Sequence, residues 1–107
     1  MGLIYAMKYI ADLIRFLDNV LQFFIDNAPT EISRAKYSAE QERSLGLGAM
    51  GWHSYLHKHR IPFESDIAKE KNIEIFRHIK SEAILETEQL ATERGECPDM
   101  EGTGRRN

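Results

Sequence analysis

The sequence predicts a mainly α chain of long amphipathic helices, interrupted by one short glycine-marked strand-to-helix turn. Three observations carry this. Leu3, Met7, Ile10, Ile14, Leu17, Leu21 and Phe24 alternate steps of four and three, a continuous apolar stripe of helical period. From about Asp66 to Arg94 the apolar spacing is again helical, with Gly95 just beyond as a stop signal. Between these stretches, Arg43-Ser-Leu-Gly-Leu-Gly-Ala-Met-Gly-Trp-His53 places Gly46, Gly48 and Gly51 within six residues.

The first helix is expected from Leu3 to about Asn27. Lys8, Asp12, Arg15, Asn19, Gln22 and Asp26 repeat on its polar face, while Ile4, Ala11, Leu13, Val20 and Phe23 widen the apolar side. A helix this apolar needs cover on more than one side, and a short chain struggles to supply it. The isolated chain is therefore expected to be helical but poorly packed. A membrane-surface helix would carry Lys and Arg along its polar face, whereas this face is mixed and slightly acidic, so core packing is favoured. Pro29 stops the helix, because the residue before a proline is pushed out of helical geometry.

Thr30 to Glu42 reads as a polar connection relieved only by Ile32 and Tyr37, with no helix assigned beyond a turn around Ala39–Arg43. Leu45 and Leu47 suit a very short strand. A helix follows from about Ala49 to His59, with Met50, Leu56 and either Trp52 or Tyr55 facing inward. Ile61-Pro-Phe-Glu-Ser65 is a turn, and Ser65 or Asp66 caps the last helix. That helix turns Ile73, Phe76, Ile79, Ala83, Leu90 and Ala91 inward and Glu70, Lys71, Glu74, Arg77 and Lys80 outward. Glu96 to Asn107 reads as loop.

At 107 residues the chain is at most one domain. A net charge of −3 with dispersed cations excludes a nucleic-acid groove, and Arg105-Arg106 are too few to make one. A single cysteine excludes an internal disulfide and suits a reducing, cytoplasmic setting. Charges at Lys8, Asp12, Arg15 and Asp18 break every apolar run well short of the roughly 18 residues a membrane span needs. No signal peptide is recognisable, and Ala6 spoils the myristoylation pattern that Met1-Gly2 begins.

No catalytic constellation emerges from the residues. The three glycines fit G-x-G-x-x-G, but polar Ser38–Arg43 stands where the preceding buried strand belongs, and a helix stands where the second strand should be. The glycines are better explained by positive φ or close backbone approach where a strand enters a helix. His53 and His57 lie four apart, but Ser54 occupies the place of the zinc-protease glutamate and no third ligand follows at recognised spacing. Ser44, Ser54 and Ser65 lack a nucleophile-elbow frame. Cys97 follows a helix C-terminus, where the dipole disfavours a thiolate.

Four ordered motifs carry a resemblance. Arg43-Ser-Leu-Gly-Leu-Gly-Ala-Met-Gly51 is similar to the R-x-L/I-G-L/I-G-V-M-G segment of the ribonucleotide reductase large subunit. Phe16-Leu-Asp18-Asn19-Val20 resembles that family's L-D-N-V helix. Ile61-Pro62-Phe-Glu-Ser65 resembles its I/Y-P-F/Y-E/D-S turn, and Leu90-Ala-Thr-Glu93-Arg-Gly95-Glu-Cys-Pro98 its L-A-x-E-x-G-x-x-P helix end. The match runs from about Phe16 to Asn107. The motif positions are Asp18, Asn19, Arg43, Gly46, Gly48, Gly51, Pro62, Ser65, Glu93, Gly95 and Pro98, all expected to be structural.

The resemblance implies a slice of a ten-stranded α/β barrel, residues 1–107 forming a partial barrel domain and no complete independent one. The family reduces ribonucleotides to deoxyribonucleotides for DNA synthesis, using a thiyl radical, redox cysteines and nucleotide effectors. Its radical loop lies N-terminal to the matched region and its P-N-A-S/T phosphate loop shortly beyond it. Flanking coding sequence is therefore expected to carry both. No family catalytic residue has a counterpart here, and Cys97 does not fill the gap. The chain is expected to bind no cofactor or metal itself and to be inactive alone. Its expected partners are the remaining pieces of the large subunit and, through them, a radical-generating small subunit if the enzyme is of class I, with no nucleic acid or membrane. The rival reading is a free-standing helical interaction module that presents the Leu3–Phe24 stripe to a partner helix.

Overall fold

The computed structural model describes residues 2–100, with side chains described from residue 9. The side chains of Leu3, Ile4, Met7 and Lys8, and the stretch 101–107 with Arg105 and Arg106, lie outside the described residues. The elements are α1 (Gly2–Asn27), a 3-10 turn (Thr30–Ile32), α2 (Ser33–Glu42), α3 (Trp52–Lys58), α4 (Asp66–Arg94) and a second 3-10 turn (Pro98–Met100).

α1 forms where its 4–3 apolar spacing predicts it. Its last turn is closed by the Asn27 side-chain amide, which donates to the Phe23 carbonyl at 2.9 Å, and the extended backbone of Pro29 (φ −70°, ψ 159°) ends it. α4 also matches its expected bounds, and its caps explain why. The Ser65 hydroxyl oxygen accepts from the Ala68 N–H at 3.2 Å and donates to the Pro62 carbonyl at 2.7 Å. At the other end Gly95 takes φ +88°, a conformation L side chains rarely adopt, and donates its N–H to the Ala91 carbonyl. Ser65→Ala is expected to remove about 1 kcal/mol of capping, seen as roughly fivefold faster amide exchange in the first turn of α4. Unchanged exchange there would show that the cap is ornamental.

Three local expectations are corrected. Residues 33–42 form a helix, α2, rather than a mere connection. It has no buried residue, so no apolar stripe announces it; its Arg, Ala, Lys, Glu and Gln content makes it a helix by propensity instead. Leu45 and Leu47 form no strand, and the described residues contain none, since a lone extended segment has no neighbour with which to pair. The next helix begins at Trp52 rather than Ala49, because Gly51 sits at its N-cap with φ +85°. Met50, expected inside, is 99% exposed, whereas Leu56 is buried as expected and Trp52 and Tyr55 are half-buried, stacked 5.9 Å apart.

The main contact is between α1 and α4. Ile10, Ile14 and Leu90 are buried there, with Leu45, Ile79 and Ala83 packed around them. Ile73 and Phe76 of α4, expected to face inward, stay 53% and 43% exposed, because this contact reaches only the later half of a helix about 43 Å long. The radius of gyration is 17.3 Å, against about 13 Å for a compact domain of this size. So small a core in so extended a shape leaves much apolar surface uncovered.

Candidate functional site

The polar centre of the molecule is Asp18. It lies four residues beyond Ile14 and eight beyond Ile10, so the helical period that buries those isoleucines also carries a carboxylate inside. Asp18 is 7% exposed and the only charged residue among the buried ones described. Burial of a carboxylate is tolerable only when its oxygens are fully engaged, and here each oxygen meets a guanidinium. Oδ1 accepts from Arg43 Nη2 at 2.9 Å and Oδ2 from Arg94 Nη1 at 2.5 Å. Arg43 Nη1 also donates to Gln22 Oε1 at 2.7 Å.

Arg43 repays a local cost with these bonds. It closes α2 in the left-handed region (φ 47°, ψ 41°), where glycine is usual, while its N–H reaches the Ala39 carbonyl at 3.0 Å. Glycine would suit that backbone better but would leave Asp18 with an unsatisfied oxygen. A second ionic group lies one turn away on α1. Arg15 contacts Glu86 Oε1 at 2.9 Å and Glu93 Oε2 at 2.7 Å, both on α4. The Glu93 hydrogen bond, opposed by desolvation, raises the Arg15 guanidinium above its ordinary pKa.

In chain order, Asp18 of the first resembling segment and Arg43 of the second thus meet, and Arg94, at a variable position of the fourth, completes the carboxylate's partners. Glu93 belongs to the neighbouring ionic group, where it accepts from Arg15. The other motif positions lie elsewhere. Asn19, Gly46 and Gly48 are exposed, and Pro62 and Ser65 sit at the far end of α4. Pro98 opens the turn in which the Met100 N–H meets the Cys97 carbonyl. Of the three clustered glycines, only Gly51 has the positive φ that explains its residue type. A Cβ on Gly46 or Gly48 would meet nothing within 4 Å. The close approach expected of those two is not made by any described residue of this chain.

Beside the Asp18 cluster is a cavity of about 500 Å³ lined by Asp18, Arg43, Leu45, Leu90, Arg94 and Cys97 among others. Its buried carboxylate, Asp18, is saturated by two guanidiniums, and Glu42 and Glu96 also line it. Cys97 stands half-buried at its edge. No group of three or more potential metal ligands occurs among the described residues, and His53 and His57 both stay exposed on α3. No helix among them is long and apolar enough to cross a membrane. Arg15, Gln22, Glu86 and Arg94 were not legible as members of this cluster. Their partners lie 21 to 78 residues away, beyond any local periodicity.

An ion-paired hub thus ties α1, α4 and the start of the glycine segment together. The comparisons give the family. Residues 5–107 match the family described as ribonucleotide reductase, barrel domain, and the chain belongs to that family. A Frog virus 3 (isolate Goorha) protein assigned as a ribonucleoside-diphosphate reductase large subunit is 55% identical over 98 residues, covering 89% of this chain and 17% of that one. The large subunit of Invertebrate iridescent virus 3 is 46% identical over 99 residues, covering 92% of this chain and 16% of its own length. A vitamin B12-dependent reductase of Thermoplasma acidophilum is 34% identical over 89 residues, covering 83% and 11%. The chain therefore spans about a sixth or less of the length of these relatives.

Proposed function

We propose that this chain serves as part of the catalytic barrel of a ribonucleoside-diphosphate reductase large subunit and contributes there to the reduction of ribonucleotides to deoxyribonucleotides. Its contribution is support rather than chemistry: α1 and α4, joined through Asp18, hold the Arg43–Gly51 segment in place. The observation that carries the reading is that Asp18 and Arg43, motif positions of two separated family segments, meet at one buried carboxylate, which Arg94, from a variable position of a third segment, completes. In this reading residues 1–107 are a partial domain that the rest of the large subunit completes. The radical system and nucleotide effectors belong to that whole, and the chain binds no cofactor, metal or nucleic acid itself. The small subunit is reached through the completed large subunit, in the cytoplasm. The motif positions Asp18, Asn19, Arg43, Gly46, Gly48, Gly51, Pro62, Ser65, Glu93, Gly95 and Pro98 act structurally. The family match leaves the free-standing interaction module without support.

The test is a transplant. Replacing the matched stretch of the Invertebrate iridescent virus 3 large subunit with this chain is expected to give a folded protein whose reductase activity falls by no more than about tenfold, the effect of a small misplacement rather than of a lost catalytic group. A chimera that folds yet lacks activity altogether would sink the proposal.

A further inference from the structure

The first helix carries a second apolar stripe that the described residues leave open. Tyr9, Leu13, Phe16, Val20 and Phe23 follow one another at steps of four, three, four and three, and they are 55%, 43%, 61%, 49% and 68% exposed. The stripe that packs inward uses other residues, Ile10 and Ile14 foremost, against Leu90. One helix thus shows two apolar seams, one covered and one not. Scattered exposed hydrophobics need no explanation, but five large ones aligned over about 21 Å do.

The spacing and the edges of this seam define what fits it. A strict 4–3 repeat gives a narrow seam that drifts little around the helix, the pattern that receives another helix lying alongside. Asp12, Asn19 and Asp26 run along one edge at seven-residue steps. A second copy of α1 packed antiparallel would set Asp12 of one chain against Asp26 of the other, a like-charge clash. Packed parallel, it would press each acidic edge against the apolar Leu17–Phe24 edge of its mate and strip the aspartates of water without return. Self-pairing is disfavoured both ways. The large subunits of the relatives, in contrast, hold more than four-fifths of their length outside the matched stretch.

We propose that the Tyr9–Phe23 seam is the docking face for an amphipathic helix from another stretch of the reductase large subunit, with Lys or Arg flanking its own seam opposite Asp12 and Asp26. The inference rests on the function proposed above, so its test separates the two. Phe16→Asp, and separately the charge reversal Asp12→Lys/Asp26→Lys, are placed both in the free chain and in the iridescent-virus chimera. In the free chain Phe16→Asp is expected to keep the far-ultraviolet helical signal and to lower apolar-dye binding about twofold, because Phe16 is largely exposed among the described residues. In the chimera each variant is expected to lower reductase activity at least about tenfold and to depress the melting temperature, since the first desolvates a charge against the docked helix and the second sets like charges across the seam. An active chimera that tolerates both variants would overturn the docking face while leaving the proposed function standing. An inactive unsubstituted chimera would remove both. A free chain that sediments as a dimer, and as a monomer after Phe16→Asp, would show that a second copy is the occupant and refute this partner.

Discussion

Asp18→Ala is expected to cost about 3 kcal/mol of stability, the largest polar effect in the chain. Hydrogen bonds to a charged group contribute roughly 1.5–3 kcal/mol each, and this carboxylate accepts two. The Arg94 leg is discounted, because that side chain is 38% exposed and water screens the pair. The Arg43 leg, at 22% exposure, keeps more of its strength. Removal of the carboxylate does more than delete two bonds. It leaves two guanidiniums converging on an apolar floor, and it frees Arg43 from the contact that offsets its left-handed backbone. Asp18→Asn is expected to cost less, about 2 kcal/mol, since an amide oxygen still serves one guanidinium while its NH₂ opposes the other. Arg43→Gly separates the contributions: it relieves the backbone and loses the ion pair, so a net loss of more than about 1 kcal/mol would show that the side chain outweighs the φ penalty. Urea unfolding of the chimera, where the barrel is complete, reads all three. A change below about 0.5 kcal/mol for Asp18→Ala would mean the hub is an incidental surface contact.

How much of this was legible in the sequence depends on the kind of force involved. α1 and α4 announced themselves because burial of one face imposes a period, and period is visible in one dimension. The Ser65 and Gly95 caps were visible for the same reason: their partners lie three or four residues away. α2 was invisible to that method because it buries nothing, and its propensity is a weak prior beside a polar composition. The inward orientation expected of Met50 failed because Gly51, the next residue, takes φ +85° at the N-cap, and the helix starts only at Trp52. Asp18 illustrates the limit. As sequence it is a charge interrupting an apolar run and a member of a four-residue motif. Only the fold reveals that Arg43 and Arg94, 25 and 76 residues on, complete it. Gly46 and Gly48 remain the residues this chain alone explains least, since open space surrounds both.

Ile14→Ala is expected to cost about 3 kcal/mol and to affect the free chain more severely than any surface change. Removal of three methyl or methylene groups from a buried isoleucine usually costs 2–5 kcal/mol, the spread reflecting how far the neighbours collapse. Here collapse is limited, because Ile14 sits between Ile10, Leu90 and the Asp18 cluster, whose bonded groups cannot follow a shrinking side chain. Among the described residues the buried α1–α4 cluster comprises Ile10, Ile14 and Leu90, so one truncation weakens the contact that joins the two long helices. Both helices span more than seven turns and retain much of their local hydrogen bonding without that contact. The expected signature is therefore a far-ultraviolet helical signal largely kept, with the near-ultraviolet signal of Trp52 and the tyrosines flattened and dye binding increased. Phe16→Ala, on the open side of the same helix, removes a larger side chain yet is expected to change stability by no more than the surface range of about 0.5 kcal/mol and not to raise dye binding. Equal losses at Ile14 and Phe16 in the free chain would mean that both seams of α1 are covered from within, contrary to the packing described.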